Sequence, residues 1–258
     1  MATHHPADID IFSLVCIEAE YCKPKDKGLV KYVSDKIGRN FIATAESDKT
    51  LYVVRDLEQT LGNDIKWVAG RTFEQVIEKK KAIPNKIWRF CTTEMKLKPI
   101  FEYCQKEVGE IVQMRIGFRY DEKERGERAE DNTHFKTIVG KSKTGNQNKW
   151  AEIEWRTLSF PLIYSHITHY EVDKWAKDSG LDFPADSNCV GCFWKPLQQL
   201  RKNWDDEPQK MRWFAEMENK MNRQWKKEMK YSSVQKIGLQ RDFFFGTGAG
   251  CQAGFCTD

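Results

Sequence analysis

Two hydrophobic periods alternate through the first third of this chain, and that alternation constrains the fold more than any other feature. Ile9, Ile11, Phe12, Leu14, Val15 and Ile17 form a nearly continuous apolar run, as a strand buried on both faces requires. Leu29, Val30, Tyr32, Val33 and Ile37 then recur at helical spacing and stop at Gly38. The strand pattern returns at 41–44 and 65–68, the helical one at 48–61 and 72–82, where Thr72 is placed to cap. The order predicts an α/β fold, a mostly parallel sheet with helices on both faces, in which ligands gather beyond the carboxyl ends of the strands. Glu18 and Glu20 follow the first strand at such a place.

Farther along, residues 89–99 lead into a helix carrying Ile100, Phe101 and Tyr103, and a strand over 110–118 runs into a charged turn at 117–125. Residues 126–149 are polar and read as a loop or hairpin. Thr168 and Glu171 have capping-box spacing ahead of a helix with Val172, Trp175 and Ala176 on one side. Beyond residue 195, Leu200, Trp204, Met211, Phe214, Met217, Met221 and Trp225 recur as the core face of two helices broken near 205–208. The expected organisation is an α/β domain over 1–195 and a helical C-terminal extension over 196–258 with a Gly/Cys tail.

No apolar run reaches the roughly 20 residues that span a bilayer, and the N-terminus lacks the regions of a secretory signal, so a cytoplasmic protein without a membrane partner is expected. In that compartment the eight cysteines point to metal, cluster or redox chemistry rather than a disulfide framework. Lysine and arginine exceed acidic residues by only 42 to 38, a formal charge of +4, too little to argue nucleic-acid binding by itself. The locally basic stretches 141–149 and 212–230 read as solvated faces.

Cys189-Val190-Gly191-Cys192 places two thiols two residues apart. Alone, such a pair is half a zinc site, a redox dithiol or two cysteines that pack. Cys91 is flanked by Arg89 and Lys96, cations expected to lower its pKa and favour the thiolate that a metal requires. Arg119 and Arg125 follow a predicted strand. Their guanidinium forks suit phosphate or sulfate, or else pair with Asp121, Glu122 and Glu124. Cys16 and Cys104 fit packing positions, Cys22 is open between roles, Lys195 reads as a solvated lysine, and the histidines have no metal-site spacing.

Four segments taken in order resemble the phosphoadenosine phosphosulfate (PAPS) reductase family, especially its iron–sulfur and phage-associated branches. They are Arg89-x-Cys91-Thr92-x-x-x-Lys96-x-x-Pro99; Gly117-x-Arg119-x-Asp121-Glu122-x-x-Arg125; Pro161-Leu162-Ile163-Tyr164 with residues 168–172; and Asn188-Cys189-Val190-Gly191-Cys192. Spanning about residues 8–195, the resemblance implies an adenine nucleotide alpha-hydrolase-like fold. It also implies a [4Fe–4S] cluster on Cys91, Cys189 and Cys192, with zinc as the alternative. Arg89, Lys96, Arg119 and Arg125 would bind the anion of an adenylylated sulfur substrate. Cys251 and Cys256, in a glycine-rich tail, are the nucleophile positions, with cluster ligation and no role as the other readings.

The implied activity is a sulfur-handling oxidoreductase, reducing adenylyl or phosphoadenylyl sulfate with a thioredoxin-like reductant, or a sulfurtransferase. A nucleic-acid acceptor, as in DNA phosphorothioation or tRNA thiolation proteins, and a non-catalytic cysteine–metal accessory protein are the alternatives. Three departures bear on this. Thr92 stands where adenylylsulfate reductases carry a second adjacent cysteine, the tail lacks a Glu-Cys-Gly-x-His ending, and the family's Ser-Gly-Gly-x-Asp-Ser-like phosphate loop has no counterpart. Met1 is therefore expected to be an internal methionine, with a strand, loop and helix encoded upstream.

Overall fold

A computed structural model describes residues 8–142, 147–181 and 188–239. The chain is a mixed helix–strand protein. In order, the elements begin with β1 (Ile11–Ser13), β2 (Cys16–Ile17), α1 (Lys27–Ile37), β3 (Ala43–Thr44), α2 (Asp48–Leu61), β4 (Lys66–Val68) and α3 (Phe73–Lys80). They continue with α4 (Phe90–Thr92), a π-helical turn (Thr93–Leu97) and α5 (Lys98–Glu107). Next come β5 (Val112–Arg115), α6 (Lys123–Ala129), β6 (His134–Lys141), β7 (Asn148–Glu154), β8 (Arg156–Ser159), α7 (Pro161–Tyr164) and α8 (His169–Asp178). The last are α9 (Leu197–Asp206), α10 (Pro208–Met221) and α11 (Tyr231–Val234). No described helix is long and apolar enough to cross a membrane.

Local chemistry sets the helix ends. Asp26 accepts from the amides of Gly28 and Leu29 to start α1, which Gly38 ends at φ 66°. Thr72 caps α3 by accepting from Gln75 N–H. The Thr168 amide and hydroxyl both donate to Glu171 at the head of α8. The break between α9 and α10 falls at Glu207, with Pro208 opening the second helix, where its missing N–H costs nothing.

The expectation of one mostly parallel sheet is met only in its parallel pairs. Described strands pair two by two: β1–β4 and β5–β8 parallel, β2–β3 and β6–β7 antiparallel. The first apolar run is the reason. Its backbone changes partners midway, Leu14 N–H donating to Val68 while the Val15 carbonyl accepts from Ala45. Side chains alternate across the same stretch: Leu14 and Cys16 join one buried cluster with Leu29, Val33 and Leu51, and Val15 and Ile17 join another. Burial on both faces is thus as expected, although the ladder is split.

By compactness, residues 8–99, 176–181 and 188–239 form one unit and 100–142 with 147–175 the other. The sequence boundary after Lys195 does not coincide with this division, because α9, α10 and α11 pack into the cluster of Val15, Ile17, Phe73, Phe90 and Phe193. Leu200, Trp204, Met211, Phe214, Met217 and Trp225 all lie in that core, as their spacing predicts. In the other unit, Phe101 stacks on Phe135 at 4.6 Å and meets Trp155 edge-on at 5.5 Å. The polar stretch 126–149 contains the end of α6 and then the β6–β7 hairpin.

Candidate functional site

Cys91 sits in the middle of α4, just before the helix loosens into the π-helical segment that begins at Thr93, a distortion frequent at functional sites. Asn85 sets the approach, its side-chain oxygen accepting from Ile87 N–H at 2.9 Å and Trp88 N–H at 3.0 Å. Lys86 and Arg89 from this turn lie over the Trp194 ring at 5.7 and 5.8 Å. Trp194 belongs to the CxxC loop, so the two cysteine-bearing segments touch.

The loop is tied to the body of its unit. Cys189 forms an isolated antiparallel bridge with Glu46, and Val190 N–H donates to the Ala45 carbonyl at 2.8 Å. The turn closes through Cys192 N–H to Cys189 carbonyl and Lys195 N–H to Cys192 carbonyl, both 3.0 Å. Its outward carbonyls are held by side chains. Asn203 Nδ2 donates to Val190 at 2.7 Å, Lys195 Nζ to Val190 at 3.2 Å and Tyr231 Oη to Gly191 at 3.0 Å. Lys226 Nζ donates to Phe193 at 2.9 Å and to Lys195 at 3.0 Å.

The three thiols share one electrostatic neighbourhood. Burial, then Cys192, pushes the Cys91 thiol up to about 11, against Lys96 and hydrogen bonds from Thr92. Burial, then Glu46, holds Cys189 well above the usual thiol range; Lys96 opposes this, and Cys192 and Cys91 add to it. The expectation that Arg89 and Lys96 lower the Cys91 pKa is therefore corrected. Desolvation outweighs the cation, and Lys96 Nζ is shared with Glu46 Oε1 at 3.5 Å. Glu46 itself is only 2% exposed. Thr92, in place of a second adjacent cysteine, is buried beside Cys91.

Three soft donors, each half-buried, are the donor chemistry that a thiolate-held metal or iron–sulfur cluster takes. As the side chains stand, no three His, Cys, Asp or Glu groups among the described residues are close enough to hold one ion. Cys251 and Cys256 lie outside the described residues.

Arg119 and Arg125 belong to the other unit, where both turn to Glu122. Arg125 Nη1 reaches Glu122 Oε1 at 2.7 Å, and Arg119 Nη2 is 3.2 Å from Oε2 with Nε 3.4 Å from Asp121. Arg125 also lies over Phe118 at 4.2 Å. Both guanidinium groups thus stand paired with carboxylates. Asp121 accepts from His169 N–H at 3.0 Å, and Tyr120 N–H donates to Ile167 at 2.8 Å. The 117–125 and 161–172 segments thus adjoin each other, as the Cys91 and CxxC segments do in their own unit.

Cys16, Cys22 and Cys104 are buried packing residues. Glu18 accepts from Thr72 and Gln75 near the surface, both at 2.7 Å. Lys195 is corrected from solvated to buried, at 2% exposure. Sequence reasoning missed Glu46, Asn203, Lys226 and Tyr231. Only Glu46 carried a signal, its position directly after a buried apolar run. No protein-family model matches the chain, and no curated protein and no solved structure matches it either.

Proposed function

We propose that this chain is a sulfur-handling protein of the PAPS reductase family, an oxidoreductase acting on an adenylylated sulfur substrate or a sulfurtransferase, with an adenine nucleotide alpha-hydrolase-like fold. The observation that supports this reading is the meeting of Cys91 with the Cys189–Cys192 turn. Two of the four resembling segments, far apart in sequence, supply half-buried thiols that act on one another electrostatically. Cys91, Cys189 and Cys192 would hold a [4Fe–4S] cluster, or zinc as the alternative. Such a centre would supply electrophilic and electrostatic assistance to a sulfur atom brought to it.

In the reductive reaction, a cysteine thiolate attacks the sulfonyl sulfur. The S–S bond forms as the sulfur–oxygen bond to phosphate breaks, and the nucleotide leaves as an adenosine phosphate. An external dithiol of the thioredoxin class then attacks the cysteine sulfur, sulfite departs with the bonding pair, and the second thiol frees the cysteine, so the dithiol supplies both electrons. The resemblance gives the nucleophile's part to Cys251 or Cys256. Lys96, whose charge acts on Cys91 and Cys189, and Arg89, over the Trp194 ring, would hold the anion, with Arg119 and Arg125 the family's further pair.

A second reading, a cysteine–metal accessory protein without nucleotide chemistry, draws support from Arg119 and Arg125, which already pair with Glu122 and, for Arg119, with Asp121. Anaerobic purification with iron, sulfide and zinc analysis, joined to sulfite release from adenylyl sulfate and PAPS with thioredoxin, separates the two. Iron, sulfide and thiol-dependent sulfite support the enzyme, and metal without sulfite supports the accessory protein. A metal-free chain releasing no sulfite overturns both.

A further inference from the structure

The β6–β7 hairpin has two unlike halves. At its base Phe135 is buried and stacks on Phe101, and the Trp155 amide donates to the Thr133 carbonyl at 3.2 Å. Farther out, every residue from Ile138 to Lys141 and from Asn148 to Trp150 is exposed. This outer half has no core to cover, yet it holds Ile138 and Trp150 directly opposite each other, 47% and 55% exposed. Such a cross-strand pair steadies a hairpin modestly and does not call for the charges around it. Those charges are sorted along the ribbon. Lys136 to Trp150 hold four lysines and no acidic residue, as much formal charge as the +4 of the entire chain. Glu152 and Glu154 stand at the base, opposite Lys136 and His134. Lys136, Lys141 and Lys149 form no ion pair among the described residues.

A register shift gathers the outer groups on one face. Ile138 pairs with Trp150, but the next rungs are Gly140 with Lys149 and Lys141 with Asn148, so Val139 is the extra residue of a β-bulge. In a regular ladder, residues three apart project to opposite faces. The bulge cancels that alternation, and Lys141 shares its face with Lys136, Ile138 and Trp150. Trp150 lies two rungs from the Lys136 rung and two from the Lys141 rung, about 7 Å from each along the ribbon at roughly 3.4 Å a residue. Cation, aromatic ring and cation follow one another along the face.

We infer that this face binds an unpaired segment of RNA. Trp150 stacks on one base, Lys141 meets the phosphate on its outer side, and Lys136, which shares a rung with Glu152, meets the inner one more weakly. A nucleotide within a strand has the same order of phosphate, base and phosphate. The base must be unpaired, because a duplex keeps both faces of each inner base stacked on its neighbours. RNA offers such bases in its own loops and bulges, where aromatic side chains stack on them, whereas duplex DNA has first to be opened. Cys91, Cys189 and Cys192 belong to the other unit and take no part, so the RNA site stands or falls apart from the sulfur-handling reading.

The test is fluorescence anisotropy of a fluorescein-labelled oligouridylate of about 15 nucleotides with the full 258-residue chain. The matching oligodeoxyuridylate and an RNA duplex of equal length are the comparisons. The single-stranded RNA should bind tightest. Trp150→Ala should weaken it on the order of tenfold, the loss of one base–aromatic stack, and Trp150→Phe, which keeps a ring, should retain most of the affinity. Lys141→Gln should reduce the slope of log affinity against log salt by about 0.7, one phosphate contact on a single strand, and Lys136→Gln by less. Lys174→Gln, exposed on α8 in the same unit, should change neither slope nor affinity. Circular dichroism checks folding, and Lys141→Gln, at an exposed side chain, decides the matter if Trp150→Ala unfolds. Absence of binding by the folded wild-type chain overturns the inference. So does binding of the duplex or the DNA strand as tight as that of the RNA strand, or a folded Trp150→Ala or Lys141→Gln variant that binds as wild type does.

Discussion

Gly191 lies against the Phe214 ring so closely that a Cβ at this position would stand 2.3 Å from the ring's Cγ. Phe214 is itself enclosed by Trp213, Trp225 and Phe73. The CxxC turn therefore rests on α10 through a glycine that leaves no room for a methyl group, and the Tyr231 hydroxyl holds the same residue's carbonyl.

Gly191→Ala should destabilise the protein by about 1–3 kcal/mol, the usual cost of overpacking a filled core. Adding Phe214→Leu should recover part of the loss, so the two changes will not be additive. Urea denaturation of both single variants and the double variant measures this. An unchanged midpoint in Gly191→Ala would show that the turn does not depend on α10.

Glu74 gives a pH dependence. Burial holds its carboxyl above the usual carboxylate range, against hydrogen bonds from the Glu18 amide and Trp213 indole, while its Oε2 has no partner among the described residues. The folded chain thus keeps a proton that the unfolded chain releases at about pH 4.3. Its contribution is complete below that pH and is lost as pH rises through the higher folded value. Glu74→Gln keeps an accepting oxygen and cannot ionise, so wild type should lose stability relative to the variant from about pH 4 upward. Urea midpoints of both proteins from pH 4 to neutrality are the check, and parallel profiles would refute the assignment.

Glu122 and Arg125 form a buried pair at 2.7 Å, with Arg119 on the other carboxylate oxygen. Glu122→Gln leaves two guanidinium groups facing an uncharged side chain and should cost about 3–5 kcal/mol. Glu122→Leu with Arg125→Met removes both sides of the closer pair and should cost less than Glu122→Gln alone. Thermal melts of the three variants decide whether these arginines are held chiefly by the fold.

What the sequence disclosed follows the range of the forces involved. Helices α1, α2, α3, α9 and α10 were legible because caps and 3.6-residue spacing are local, down to Thr72 and the break before Pro208. The sheet was less so, since partner choice is non-local: nothing around Leu14 and Val15 announces that the strand leaves β4 for β3. At the site, Cys91, Cys189 and Cys192 stood out by type and spacing. Lys195 and Lys226 did not, because a lysine looks solvated until the fold wraps it. The rise of the Cys91 pKa was missed for the same reason, as burial has no sequence signature in a short charged turn.

The thiols give the most direct test of the site. Cys91, Cys189 and Cys192 share a neighbourhood in one unit, whereas Cys104 is buried in the other beside Arg156. If the first three are ligands, Cys91→Ser removes one thiolate from a three-cysteine set, and bound zinc or iron should fall to a small fraction of wild type. Cys104→Ser alters only packing and should keep the metal content, even where stability declines. Metal per folded chain, measured after anaerobic purification, separates the cases. Equal loss in both variants would trace the metal to general instability, and full retention in Cys91→Ser would remove Cys91 from the ligand set and leave the Cys189–Cys192 turn to bind alone.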